Sequence, residues 1–152
     1  MALSASKYNR WVSYLGGNIA GQPINWGSSF ATKCALFTAS YTPAITDQKY
    51  TSLTNEVANG NGYATGGAAV TTAAVTNSSG TDSYPASLAS PTWTASSAGF
   101  SLRYMVFYIV STSATDTPLI VWYDYGSTLT LSGSNGDTFT ISLSTANLFT
   151  VA

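Results

Sequence analysis

The sequence predicts an all-β domain, an antiparallel β-sandwich or barrel, preceded by a short N-terminal helix and an extended N-terminal arm. Three observations carry that reading. The 152 residues include 22 Ser, 22 Thr and 20 aromatics, a hydroxyl-rich and β-prone composition. Short runs of β-branched and aromatic residues recur between turn signals. After Thr32 no helical period interrupts them, so the crossover helices that a parallel sheet needs are missing. A chain of this length is most economically one folding unit. It divides in sequence into a helix and arm over residues 1–31 and an antiparallel β-domain over residues 32–152.

In chain order, Tyr8, Trp11, Val12 and Leu15 recur at the i, i+3, i+4, i+7 spacing of one helix face. With Ser4 or Ser6 as N-cap and Gly16-Gly17 as a stop, the spacing predicts a helix over residues 5–15. The next stretch, NIAGQPINWGSSFA, scatters Ile19, Ile24, Trp26 and Phe30 among Gly, Pro and Ser, the pattern of an extended arm with apolar anchors. KCALFTAS is the first buried strand, ended by the turn at Thr42-Pro43. In NGNGYATGG, Gly60, Gly62, Gly66 and Gly67 demand tight or left-handed backbone and mark a loop. AAVTTAAVT reads as a strand, with its alanines leaving a helix open, and Gly80 breaks it. A short strand surrounds Trp93. FSLRYMVFYIV is apolar on both alternating faces, so it is a strand buried on both sides, paired as an antiparallel hairpin with PLIVWYDYG. Finally DTFTISLS alternates, with Phe139, Ile141 and Leu143 on one face and hydroxyls on the other.

Charge narrows the function. Lys plus Arg number 5 and Asp plus Glu 6, together 7% of the chain where about 25% is usual. A net charge of −1 without a basic block lacks the footprint of nucleic-acid or anionic-membrane binding. The longest apolar run, residues 104–110, is far short of the ~20 residues that cross a bilayer. The opening MALSASKYNRWV lacks a secretion signal's apolar stretch, so synthesis in the cytoplasm is expected. With no histidine and a single cysteine, Cys34, neither an internal disulfide nor a zinc or redox set is expected, and Cys34 in CALF reads as a buried small residue.

The same inventory predicts no enzyme and no cofactor. Nucleophilic triads of the usual kind need a histidine. Glu56 and Asp124 are one pair that could be nominated for glycoside hydrolysis, as any two acids could. Asp47, Asn55, Glu56 and Asp137 offer oxygen ligands without the spacing of a calcium loop. A nearly neutral, charge-poor surface suits a subunit of an assembly, the alternative being a monomer hydrated by its hydroxyls. Trp93 and Trp122 lie in strand patterns and read as core, whereas Trp11 and Trp26 lie outside the sheet and read as docking groups. The partner-binding candidates are Tyr8, Trp11, Leu15, Ile24, Trp26 and Phe30. Exposed aromatics stacking on sugars keep a carbohydrate-binding domain as a second class.

The order of segments, a helix, an INW piece, KCALFTASYTP, TNEVANGNGYATGG, LRYMVFYIV, TPLIVWYDYG and DTFTISLS, resembles a family of small tailed-bacteriophage virion proteins. Its K-x-A-L-x-T-x-x-Y-T-P strand and turn fall on Lys33, Ala35, Leu36, Thr38, Tyr41, Thr42 and Pro43. The N-E-V-x-G-x-G-Y loop, its most specific element, falls on Asn55, Glu56, Val57, Gly60, Gly62 and Tyr63. The R-Y-x-V-x-Y strand falls on Arg103, Tyr104, Val106 and Tyr108, and P-L-I-x-x-x-D-x-G on Pro118, Leu119, Ile120, Asp124 and Gly126. The resemblance covers most of residues 5–150 and implies a non-enzymatic virion component, similar to capsid cement or decoration proteins. It implies the major capsid protein and further copies of the chain as partners, a trimer by the habit of such proteins, and the capsid surface as the location. A tail or neck position is the alternative.

Overall fold

The computed structural model describes residues 4–9, 31–70, 76–85, 90–110, 117–142 and 147–151. These contain ten strands: β1 (Ser4–Lys7), β2 (Ala31–Phe37), β3 (Ala68–Val70), β4 (Thr76–Ser78), β5 (Thr81–Pro85), β6 (Thr92–Thr94), β7 (Phe100–Val110), β8 (Leu119–Leu131), β9 (Thr138–Thr140) and β10 (Asn147–Val151). A single 3-10 turn, Tyr50–Ser52, lies between β2 and β3. The main sheet has the order β1-β8-β7-β2-β3, and β10-β5-β4 and β6-β9 form two smaller sheets. All strand pairs are antiparallel. The main sheet is open, with β1 and β3 at its edges.

β2, β7 and β8 form the centre because their sequences are apolar on both faces. Along β2, Cys34 and Leu36 enter one core while Ala35 and Phe37 enter another. The first core also takes Leu102, Met105, Phe107 and Ile109; the second takes Tyr104, Val106, Tyr108 and Leu119. β7 changes parity between Leu102 and Tyr104. Leu102 opposes Leu129 while Tyr104 opposes Asp124, so β8 carries a bulge there, with Gly126 at φ 89°.

The two faces have different covers. β6 and β9 close the first, where Trp93 stacks on Phe139 with centroids 6.1 Å apart, together with Val57 and Tyr63. On the second, the connection after β2 contributes Tyr41, Tyr50 and Leu53.

The N-terminal helix expected over residues 5–15 is corrected: residues 4–7 are strand β1, in register with β8 from Ser4↔Asp124 to Lys7↔Val121. The apolar spacing begins only at Tyr8, so residues 4–7 contribute nothing to an amphipathic face, and a short isolated helix is marginal in water. A ladder on the β8 edge satisfies the same backbone groups. Residues 10–15 and the arm over 16–30 lie outside the described residues. β8 extends past the expected PLIVWYDYG to Leu131. Of the described part of DTFTISLS, Thr138–Thr140 is strand, and Leu143 lies outside the described residues. AAVTTAAVT begins as β3 and ends at the start of β4, with residues 71–75 outside the described ones.

Candidate functional site: a carboxylate at the sheet edge

Beyond the turn at Pro43 the chain returns to β2. Thr38 N donates to Asn55 O at 3.0 Å and Val57 N to Leu36 O at 2.9 Å, bridging Phe37 to Glu56. Because β7 occupies the other edge of β2, residues 55–57 continue the line of β3. Asn55 makes the crossing at φ 67°, a left-handed conformation that asparagine tolerates, and its Nδ2 donates to Ser40 O at 3.1 Å. The chain thus covers the tyrosine-rich face before Glu56 and the apolar face after it.

Glu56 is half-buried at this crossing. Its Oε2 accepts the Tyr50 hydroxyl at 2.5 Å, and its Oε1 accepts the Tyr63 hydroxyl at 2.5 Å and Gly66 N at 2.7 Å. Tyr63 belongs to the first core, whereas Tyr50 packs against the second and stacks on Tyr108 at 4.2 Å and 7°. One carboxylate therefore fastens the covers of both faces. The network continues as Leu36 N donates to the Tyr63 oxygen at 3.1 Å and the Tyr108 hydroxyl donates to Gly66 O at 2.9 Å. Burial first, and donation to Glu56 second, hold the Tyr63 and Tyr50 phenols well above their ordinary range.

The glycines of this loop admit close backbone. At Gly67, with φ +67°, a Cβ would stand 1.8 Å from Cys34 O, and at Gly62, with φ +95°, 1.9 Å from Thr94 O. The NGNGYATGG loop is a clasp between strands.

A second chain of hydroxyls lies on the tyrosine-rich face. Tyr41 donates to Asp47 Oδ2 at 3.2 Å, so the 2.9 Å contact between the Tyr8 and Tyr41 hydroxyls has Tyr8 as donor. Ala44 N also donates to Asp47 Oδ2, at 3.1 Å. Burial raises the Tyr8 and Tyr41 phenols. Beside them a polar hollow of about 310 Å³ is lined by Ser40, Tyr41, Asp47, Leu53, Thr54 and Asn55, among others.

Asp124 and Asp137 also have partners within the fold. Arg103 grips Asp124 through two bonds of 2.9 and 3.0 Å, which lowers the carboxyl below its ordinary range, and Gly126 N donates to the same side chain at 2.8 Å. Asp137 Oδ2 accepts Ser132 N at 2.9 Å. Glu56 and Asp124, nominated together as a hydrolytic pair, thus sit in separate networks. Among the described residues no cluster of three or more His, Cys, Asp or Glu side chains is placed to hold a metal ion. Cys34 is fully buried and its thiol pKa is pushed up by burial.

Of the partner-binding candidates, Tyr8 is 1% exposed and packs on Trp122 at 4.6 Å, so it is a core residue of this fold. Trp11, Leu15, Ile24, Trp26 and Phe30 lie outside the described residues. Trp93 is buried and Trp122 half-buried. The sequence singles out Glu56 only as a candidate acid or oxygen ligand and not as a fastener, although an acid flanked by Tyr50 and Tyr63 in so charge-poor a chain is a usable signal. Compared with known proteins, the chain matches no family model, no curated protein and no solved structure.

Proposed function

We propose that this chain is a non-enzymatic structural protein of a tailed-bacteriophage virion, a cement or decoration protein that binds and bridges major capsid subunits to stabilise the head. The observation that supports it most is a charge-poor, hydroxyl-rich chain whose described acids Asp47, Glu56, Asp124 and Asp137 each accept bonds from their own fold. Chemistry of that kind holds a scaffold together. In this reading the main sheet and the layer over its first face make a sandwich, and copies associate around a local threefold axis on the capsid surface after synthesis in the host cytoplasm. Trp11, Trp26 and Phe30 are the anchors, enough for the centre of an interface of roughly 1,600 Å².

The test is cosedimentation of the purified protein with capsids of the encoding phage that have been stripped of it. Binding is expected to survive about 0.5 M salt, because screening has few ionic contacts to remove. Replacing Trp11, Trp26 and Phe30 by Ala, with residues 1–9 kept because Tyr8 is core, is expected to weaken binding at least about tenfold. Absence of binding to stripped heads overturns the reading. The hydroxyl-lined hollow beside Tyr41 favours one second reading, a carbohydrate-binding surface domain, and a glycan array without a hit excludes it.

A further inference from the structure

The segment of residues 4–9 lies along one strand edge, with the Tyr8 side chain inserted into the core. All four residues of β1 are exposed, so they bury little when paired. Among the described residues the strand partner of β1 is β8 alone. Tyr8 does the anchoring, and among the described residues its socket is formed by later parts of the chain, including the Trp122 ring at 4.6 Å and the Tyr41 hydroxyl at 2.9 Å. Backbone bonds from Tyr8 N to Ile120 O at 3.2 Å and from Asn9 N to Ile45 O at 2.8 Å complete it. Ile45, 51% exposed, is the large apolar side chain left in solvent among the described residues, and it stands where this segment enters.

Residues 10–30 separate this segment from β2. Their covalent reach is up to about 70 Å at ~3.3 Å per residue. A domain of this length has a radius of gyration of only about 15 Å. Covalent geometry therefore does not fix which copy's socket receives a given N-terminus. We infer that the β8 edge and the Tyr41–Trp122 socket accept residues 4–9 of a second copy, so that copies of this chain exchange N-terminal strands. The contacts are the same in either arrangement, and local concentration sets the balance. The exchange is measured without capsids, so it stands or falls separately from the capsid reading.

The bond from Tyr8 N to Ile120 O makes those residues a hydrogen-bonded pair, so Ala5 and Tyr123, three steps along, are a non-hydrogen-bonded pair with the closer approach that suits a disulfide. Full-length Ala5→Cys and Tyr123→Cys chains are co-expressed, concentrated and oxidised. The expected result is a reducible, covalent heterodimer in the mixture that neither variant forms alone. The Ala5→Cys/Tyr123→Cys double variant reports the same bond within one chain, and Lys7→Cys with Val121→Cys is the second pair. Sedimentation of the unmodified protein accompanies both. A 15.8 kDa monomer at every concentration, or an oligomer whose mixtures yield no heterodimer with either pair, overturns the inference.

Discussion

The two faces of the main sheet are closed by different chemistry. On the first, Leu102, Met105, Phe107 and Ile109 meet Trp93, and on the second, Tyr104 and Tyr108 meet Tyr8 and Tyr41. An apolar cover needs only area and fit, whereas a tyrosine cover must also give every hydroxyl a partner. The second face accordingly carries the Tyr8–Tyr41–Asp47 chain and the Tyr108–Gly66 bond. Glu56 joins the two, receiving Tyr50 from one side and Tyr63 from the other. A chain with few charges can thus use a carboxylate as an internal fastener.

The largest effect is expected on the apolar face. Leu102→Ala should cost about 3–5 kcal/mol in urea unfolding, since Leu102 is fully buried. That loss should be the same at pH 7 and pH 10.5. Next comes the joint: Glu56→Gln replaces a charged acceptor and is expected to cost about 2–3 kcal/mol. A loss below half a kcal/mol contradicts its role as a fastener.

Alkali tests the buried phenols, which lie on both faces. Burial raises Tyr8, Tyr41, Tyr50, Tyr63 and Tyr108, so the folded state keeps protons that an unfolded tyrosine releases near pH 10. Their contribution is complete below pH 10 and declines above it, by about 1.4 kcal/mol per pH unit for each phenol that stays neutral. Denaturant midpoints measured from pH 8 to 11 should show that decline, and Tyr63→Phe should flatten it. The smallest effect is Tyr8→Phe, which removes one buried hydroxyl and should cost about 1 kcal/mol in thermal unfolding.

Legibility in the sequence followed how much of each element's stability is local. FSLRYMVFYIV appears as β7 with the expected bounds, since its β-branched and aromatic residues permit little else. SASK has no apolar pattern, and only the β8 edge makes it a strand. Tyr8 shares a helical spacing with Trp11, Val12 and Leu15, yet its ring enters a core shared with Ala35, Phe37, Tyr41 and residues of β7 and β8, far along the chain. The polar strands β4 and β5 carry no alternation to read. The glycine loop was legible as tight backbone, while the hydrogen bonds that meet at Glu56 depend on tertiary placement that no local pattern encodes.

The most direct measurement is cryo-electron microscopy of the purified virion of the encoding phage, with the main sheet and its tryptophans fitted to the density. This chain is expected on the outer head shell, spanning boundaries between major capsid subunits. Density for it only in the tail or neck, or none in the particle, contradicts the account.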